Sequence, residues 1–201
     1  MARIAEARPA AAPSSENQVA RHRRILHAAA ELGAEKGLDG VQMHEVARDA
    51  GVAIGTLYRY FPSKTHLFTA VLAERIGALD ETTPPPAAGA DRVDAVADLL
   101  VGLSRDLMRT PLLATAMMRS AAASHHATVA ETEQIAADLD RVILRVLGIE
   151  QPTERDLSAV RLLAYGWWGL VTAALDRHLT ATRAEADMRL AARLLLAARS
   201  R

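Results

Sequence analysis

The sequence contains no cysteine, which excludes disulfide bonds, thiolate metal sites and a cysteine nucleophile. Aromatic residues make up only 3% of the 201 residues, and no long segment alternates apolar with polar residues, so strands are not expected. The longest uncharged apolar run, Leu162 to Leu175, is too short to span a bilayer. Because an apolar secretory signal is also lacking at the N-terminal end, we expect a cytoplasmic protein without a membrane partner.

Net charge is also absent, since 24 lysines and arginines balance 24 aspartates and glutamates. The basic residues are nevertheless unevenly distributed, and five crowd the N-terminal region: Arg3, Arg8, Arg21, Arg23 and Arg24. A basic bias at one end is sufficient for contact with phosphates if the protein is a dimer. The arginines before residue 17 are equally consistent with a solvated basic tail.

Alanine and leucine are abundant, and apolar residues recur at helical spacing along most of the chain, which predicts an all-α fold. Residues 1–16 are rich in alanine and proline without apolar periodicity, so we expect a disordered tail. Residues 17–64 are predicted to form a three-helix domain, and residues 65–201 a larger helical domain. The proline-rich segment 82–89 is predicted to be a loop that cannot be helical.

Residues 41–64 have the pattern of a helix-turn-helix. A short amphipathic helix is predicted over 41–50, and it is followed by a turn at Gly51 and a second helix over 54–60. A proline then ends the second helix, and Ser63 is placed to cap the next one. Because the second helix has a length suited to the major groove, the motif predicts a DNA-binding protein.

A specific pattern extends beyond this motif: Arg24-Ile25-Leu26-His27-Ala28-Ala29, Gly37, Val46-Ala47, Ala50-Gly51-Val52, the run from Gly55 to Lys64, and Leu67. On this pattern, residues 19–72 resemble the DNA-binding domain of the TetR family of one-component repressors. Residues 41–43, 55–64, 111–113 and 116–117 are most similar to the actinobacterial repressors of steroid catabolism. The resemblance implies a helix-turn-helix domain followed by a helical domain for ligand binding and dimerisation. It also implies a palindromic double-stranded DNA operator.

Few side chains can reach base edges from a recognition helix of about two turns. Gly55 lets the backbone approach the duplex, and the methyl groups of Ile54 and Thr56 suit a thymine methyl. The alternative for Tyr58 is a half-buried packing residue, and the alternative for Arg59 is a solvated surface charge. Leu57 and Phe61 are assigned to the core. The predicted DNA-binding residues are Gln42, Met43, Ile54, Gly55, Thr56, Tyr58, Arg59, Tyr60 and Lys64.

The helices between residues 91 and 178 are expected to enclose a pocket for an apolar effector, such as a steroid or an acyl-CoA-type metabolite. Flexible methionines and a tryptophan suit such a wall, although each is also a plain core residue. Arg105, Arg109 or Arg119 could meet acidic groups of the effector. The predicted lining residues are Leu103, Leu107, Met108, Leu112, Leu113, Met117, Met118, Leu139 and Trp168. The helix over 65–79 is expected to transmit ligand binding to the DNA-binding domain.

The helix predicted over 154–178 is apolar nearly all round, with Trp168 on one of its apolar faces. A helix buried on both sides must face its own core and something else. The TetR resemblance implies that the last two helices, 154–178 and 183–199, form a four-helix bundle in a homodimer. A large monomeric core is the alternative.

His125-His126 with nearby Glu131 is the one cluster that hints at a metal. Adjacent histidines on a helix point about 100° apart, so solvated side chains are the better interpretation. The sequence also lacks the HExxH, GxSxG, P-loop and dinucleotide-binding motifs. We therefore predict no catalytic residue, no metal and no cofactor. A helical small-molecule carrier or catalyst without a DNA role is the alternative function.

Overall fold

The computed structural model of the protein describes residues 13, 15–124 and 130–196, and these residues form ten helices and no β-strand. The all-helical prediction is confirmed. The helices are α1 (Glu16–Gly40), α2 (Met43–Asp49), α3 (Ile54–Tyr60), α4 (Lys64–Gly77), α5 (Leu79–Thr82), α6 (Arg92–Met108), α7 (Pro111–Ser124), α8 (Ala130–Leu147), α9 (Glu154–Leu175) and α10 (Ala181–Leu196). The predictions for the tail before Ser15 and for residues 197–199 lie almost wholly outside the described residues.

Local backbone and capping interactions set the turn and the ends of the helix-turn-helix. Gly51, between α2 and α3, has a φ of +64°, a conformation that side chains with a Cβ rarely adopt. The Oγ of Ser63 accepts a hydrogen bond from the backbone N–H of His66 at 3.0 Å and caps α4. Helix α2 begins at Met43 rather than at Val41, because the extended backbone of Gln42 serves as its N-cap.

Helix α4 connects the helix-turn-helix to the rest of the protein. It packs against α1, α7 and α8, and α7 also packs against α1. The close approach of α1 to α4 and α7 depends on Gly33. A Cβ added there would lie 2.6 Å from Cε1 of Phe68 and 2.9 Å from Cδ1 of Leu113.

A short helix follows α4, and the structure corrects the predicted loop at its first residue. Thr82 belongs to the short helix α5, where its hydroxyl donates to the Ala78 carbonyl at 2.8 Å. The guanidinium of Arg145 donates to the Asp80 carboxylate at 2.9 Å and to the Thr83 carbonyl at 3.2 Å. These long-range contacts from α8 hold a turn of helix that the local sequence did not predict.

Helices α9 and α10 form one side of the protein, where α10 packs against both α9 and α6. Helix α9 ends at Leu175 rather than at the predicted His178, because Arg177 adopts a positive φ of 60°. Helix α10 begins at Ala181 rather than at Arg183. In the part of the chain that the structure describes, no helix is long and apolar enough to cross a membrane.

Candidate DNA-binding and effector sites

The outer face of α3 is open to solvent. Ile54 is 43% exposed and Tyr58 is 48% exposed, whereas Leu57 is fully buried as predicted. A Cβ built on Gly55 would meet no atom within 4 Å, so nothing in the part of the chain that the structure describes requires a glycine there. The side chains of Gln42, which caps α2, and of Arg59 are also exposed, and those of Met43 and Thr56 are partly buried. Their roles at DNA stay predictions.

Tyr60 is buried, although the sequence predicted that it contacts DNA. It is 2% exposed, and its ring centroid lies 5.8 Å from that of His22 and 6.4 Å from that of Phe61. Its hydroxyl accepts a long hydrogen bond from Nη2 of Arg59 at 3.4 Å. This burial argues against a phosphate contact, and we assign Tyr60 to the core. Its spacing of three residues from Leu57 was the available signal, since such residues share a helical face.

Lys64 contacts the protein itself as well as solvent. Its Nζ donates to the carbonyl of Val41 at 3.0 Å and approaches the carbonyl of Asp39 at 3.5 Å. An ammonium group has three donors, so one remains for a phosphate oxygen. Lys64 therefore fixes the connection between α1 and α2 in addition to its predicted role at DNA.

A cluster of ionisable groups joins three helices beside the helix-turn-helix. Nε2 of His66 lies 2.8 Å from Oε1 of Glu131, at the beginning of α8. Burial raises the pKa of Glu131, but the hydrogen bond from His66 and the nearby charges lower it by more. The net effect is a pKa below the usual value for glutamate. Burial also lowers the pKa of His22, whose ring lies 4.8 Å from that of Phe61.

The cluster predicts loss of stability in mild acid. Because the pKa of His22 is lowered from 6.5, the unfolded chain binds a proton before the folded protein as the pH falls below this value. Glu131 loses its stabilising charge at lower pH, as the solution passes through its depressed pKa. We expect the melting temperature to fall from pH 7.5 to 5.5, and to fall less in His22→Gln. His27→Gln, at an exposed histidine, is the control. Equal falls in all three proteins would contradict the prediction.

Most of the predicted effector residues are packed in the core. Buried among other apolar side chains are Leu103, Leu107, Leu113, Met117, Met118 and Leu139. Leu112 is instead 50% exposed. It lies close to Gly37, since a Cβ built on Gly37 would be 3.7 Å from Cδ2 of Leu112. The structure places Leu103 along an open groove formed mainly by α5, the segment 83–86 and α6, and Met108 along a separate cavity.

That separate cavity has a volume of about 190 Å³ and lies where α6, α9 and α10 meet. Trp167 lines it, whereas the predicted Trp168 does not. The inward face of α9 carries Val160, Leu163, Trp167 and Val171. Their spacing of three or four residues could have identified Trp167, because such residues lie on one face of a helix.

Of the three residues that hinted at a metal site in the sequence, the structure describes only Glu131. His125 and His126 lie outside the described residues. Within the described ranges, no group of three or more histidine, aspartate or glutamate side chains could hold a metal ion. Glu131 pairs with His66 instead.

An exposed helix-turn-helix face joined by α4 to a helical body with an apolar cavity defines a DNA-binding transcriptional regulator. The family described as bacterial regulatory proteins, tetR family, matches residues 25–71. The family described as tetracyclin repressor-like, C-terminal domain, matches residues 89–195, which is more than half of the chain. The protein belongs to the TetR family of regulators.

Relatives over most of the chain agree with this assignment. The chain is 36% identical to the HTH-type transcriptional repressor KstR of Rhodococcus jostii, over 94% of this chain and 88% of the relative. It is 35% identical to KstR of Mycobacterium tuberculosis, over 90% and 83%. A crystal structure of a TetR transcriptional regulator from Rhodococcus sp. RHA1 is 47% identical and superposes with a TM-score of 0.85, covering 92% of this chain and all of that one. Regulators of this family bind DNA operators and small-molecule effectors and act as dimers.

Proposed function

We propose that the protein is a cytoplasmic repressor that binds a palindromic operator as a homodimer and leaves it when an apolar effector binds. The exposed face of α3 carries this proposal. Ile54, Gly55 and Tyr58 point away from the core, and the space around Gly55 is free for a duplex. Repression is supported by the two KstR relatives, which are named as repressors and match most of the chain. Steroid or acyl-CoA-type effectors are supported by the residue-level resemblance to repressors of steroid catabolism.

We propose in addition that α9 and α10 form the dimer interface. Large apolar side chains remain exposed on these two helices: Leu162 and Tyr165 on α9, and Leu190 and Leu194 on α10. Contiguous exposed apolar residues mark protein interfaces in soluble proteins. This surface supports a two-fold dimer in which each protomer offers the same two helices.

A carrier or catalyst without a DNA role is the alternative, and it accounts less well for α3. Such a protein needs the cavity, but it has no need for an α3 that faces solvent and has a glycine at an uncrowded position. The proposed division is a DNA-binding domain over 17–64 and an effector and dimerisation domain over 65–201. Helix α4, which packs against α7 and α8, is the proposed connection between the two activities.

Replacing Gly55 with leucine is expected to separate DNA binding from stability. The free space around Gly55 accommodates a side chain, and the helix gains up to about 1 kcal/mol of propensity. At the operator the same side chain would hold the helix away from the duplex, and we expect at least about a tenfold loss of affinity.

Gly102→Leu is the matched control, because Gly102 is also helical, exposed and free of neighbours within 4 Å. Thermal melting and fluorescence anisotropy with labelled operator give the two readouts. Undiminished operator affinity in Gly55→Leu would show that α3 does not approach DNA as proposed.

Tyr58→Ala is expected to weaken binding to all DNA sequences to a similar degree. The ring is half exposed, so its removal leaves no cavity, and its hydroxyl suits a phosphate oxygen. We expect about a 10- to 100-fold loss at low salt, since a hydrogen bond to a charged group contributes about 1.5–3 kcal/mol. Tyr60→Ala is the contrasting variant, since removal of this buried ring lowers the melting temperature instead. Unchanged affinity in Tyr58→Ala would exclude the contact.

The proposed function is tested by selecting bound fragments from the genome of the source organism, followed by footprinting at two salt concentrations. A protected inverted repeat would establish a dimeric DNA-binding regulator, and the adjacent genes would nominate the effector. Genes of steroid degradation there would support a steroid-type effector. Absence of any sequence-selective protection at either salt concentration would favour the carrier or catalyst.

A further inference from the structure

The cavity between α6, α9 and α10 is suited to the apolar part of a ligand. Its wall is formed mainly by Met108, Trp167, Leu170 and Met188, and its volume is about 190 Å³. Pockets for drug-sized ligands measure about 300–1,000 Å³. The cavity therefore fits a chain or ring of modest size.

Among the described residues that line the interior of the cavity, every side-chain hydrogen-bond donor is already used. Nε1 of Trp167 donates to Oγ of Ser104 at 3.0 Å, and the Ser104 hydroxyl donates to the carbonyl of Leu100 at 2.8 Å. A carboxylate placed among these groups would lose its hydration without gaining a partner, which is costly. Only an uncharged part of a ligand fits inside.

Charged side chains line the same cavity. Nε and Nη2 of Arg105 donate to the two carboxylate oxygens of Glu185 at 2.7 and 2.6 Å, so these two charges neutralise each other. The same interaction lowers the pKa of Glu185, which stays ionised. Arg109 also lines the cavity, and its side chain makes no ion pair or hydrogen bond with any residue that the structure describes. One positive charge is therefore left over, and it favours an anion.

We propose that this cavity binds a compact amphipathic anion, whose apolar chain or ring lies against Trp167 and whose charged head group lies beside Arg109. The proposal rests on the proposed effector-controlled repressor and names the site and the chemistry of the effector. The charged head is a carboxylate attached directly to the apolar part. In an acyl-CoA thioester more than ten bonds separate the acyl chain from the nearest phosphate, so that phosphate would not lie beside Arg109 with the chain in this cavity.

Tryptophan fluorescence provides a direct readout. The chain has two tryptophans, and only Trp167 lines the cavity, so Trp168→Phe leaves a single reporter in the site. We would titrate this variant with octanoate, octanoyl-CoA and 1-octanol. We expect the emission of Trp167 to change with octanoate, and octanoyl-CoA and 1-octanol to bind about three- to fivefold more weakly, since neither places a charge beside Arg109. Tighter binding of octanoyl-CoA than of octanoate would overturn the carboxylate as the head group.

Two further changes in the same background locate the site. Arg109→Gln is expected to weaken the binding of octanoate about three- to fivefold and to leave that of octanoyl-CoA and 1-octanol unchanged. Arg155→Gln, at an exposed arginine at the opposite end of α9, should change the binding of none of the three. Ala184→Leu fills the cavity and should abolish the signal, and Arg109→Gln remains decisive if that variant does not fold.

The outcomes separate this site from the proposed repressor. A Trp167 signal that responds to none of the probes, or one unaffected by Arg109→Gln, would overturn the site. A protected operator in that case would leave the repressor standing. A charge-dependent Trp167 signal without any selective DNA binding would establish the site and reject the repressor.

Discussion

Replacing Leu194 with glutamate is expected to convert the dimer into monomers and to weaken operator binding by about a hundredfold or more. Leu194 is 70% exposed on α10, and Tyr165 on α9 is 65% exposed. In the proposed interface, both copies of Leu194 become buried against the partner. Glutamate would remove the apolar contact twice and bury two unpaired carboxylates, each at a cost of several kcal/mol.

The loss of operator affinity follows from the loss of the second DNA-binding domain. A palindrome is bound by two α3 helices at once, and a monomer makes only half of the contacts. Sedimentation velocity at micromolar concentration would measure the oligomeric state, and anisotropy the operator affinity. Ala136→Glu, which adds the same charge at an exposed position of α8, is the control. A dimer that persists in Leu194→Glu would place the interface elsewhere.

Gly33→Ala is expected to destabilise the protein by about 1–3 kcal/mol although alanine favours helices, because the added methyl group would overpack this position. A new Cβ would lie 2.6 Å from Cε1 of Phe68, a side chain that is fully buried where α4 meets α1 and α7. Phe68→Ala alone is expected to cost about 3–5 kcal/mol through the cavity that it leaves. For a chain of this size, these losses lower the melting temperature by about 2–4 °C per kcal/mol.

A double-mutant cycle tests the physical reason for this glycine. Phe68→Leu removes the ring atoms that a Cβ at Gly33 would strike, so the combined variant should lose at least about 0.5 kcal/mol less than the sum of its parts. The contact of Gly33 with Leu113 at 2.9 Å stays in place, so the rescue should be incomplete. Strict additivity would show that Phe68 is not what excludes a side chain at Gly33. Gly102→Ala, where nothing lies within 4 Å, provides the baseline for a helical glycine.

The sequence by itself determined the helix-turn-helix. The recognition helix was predicted over 54–60, and α3 has these bounds in the structure. Such boundaries depend on local chemistry: the positive φ of Gly51, the proline after Phe61, and the hydroxyl of Ser63 that caps α4. A turn or a cap acts within a few residues, so it can be recognised without the rest of the fold.

The tertiary structure alone decided which side chains are available for function. Tyr60 was predicted to contact DNA, but it is buried against His22 from α1. Trp168 was predicted in the effector pocket, but Trp167 lines the cavity and donates to Ser104, which is 63 residues earlier in the chain. The ion pair of Arg105 with Glu185, 80 residues apart, likewise determines the charge beside that cavity. Helical periodicity identifies an apolar stripe, but the rotation of a helix and its partners follow from packing against distant segments.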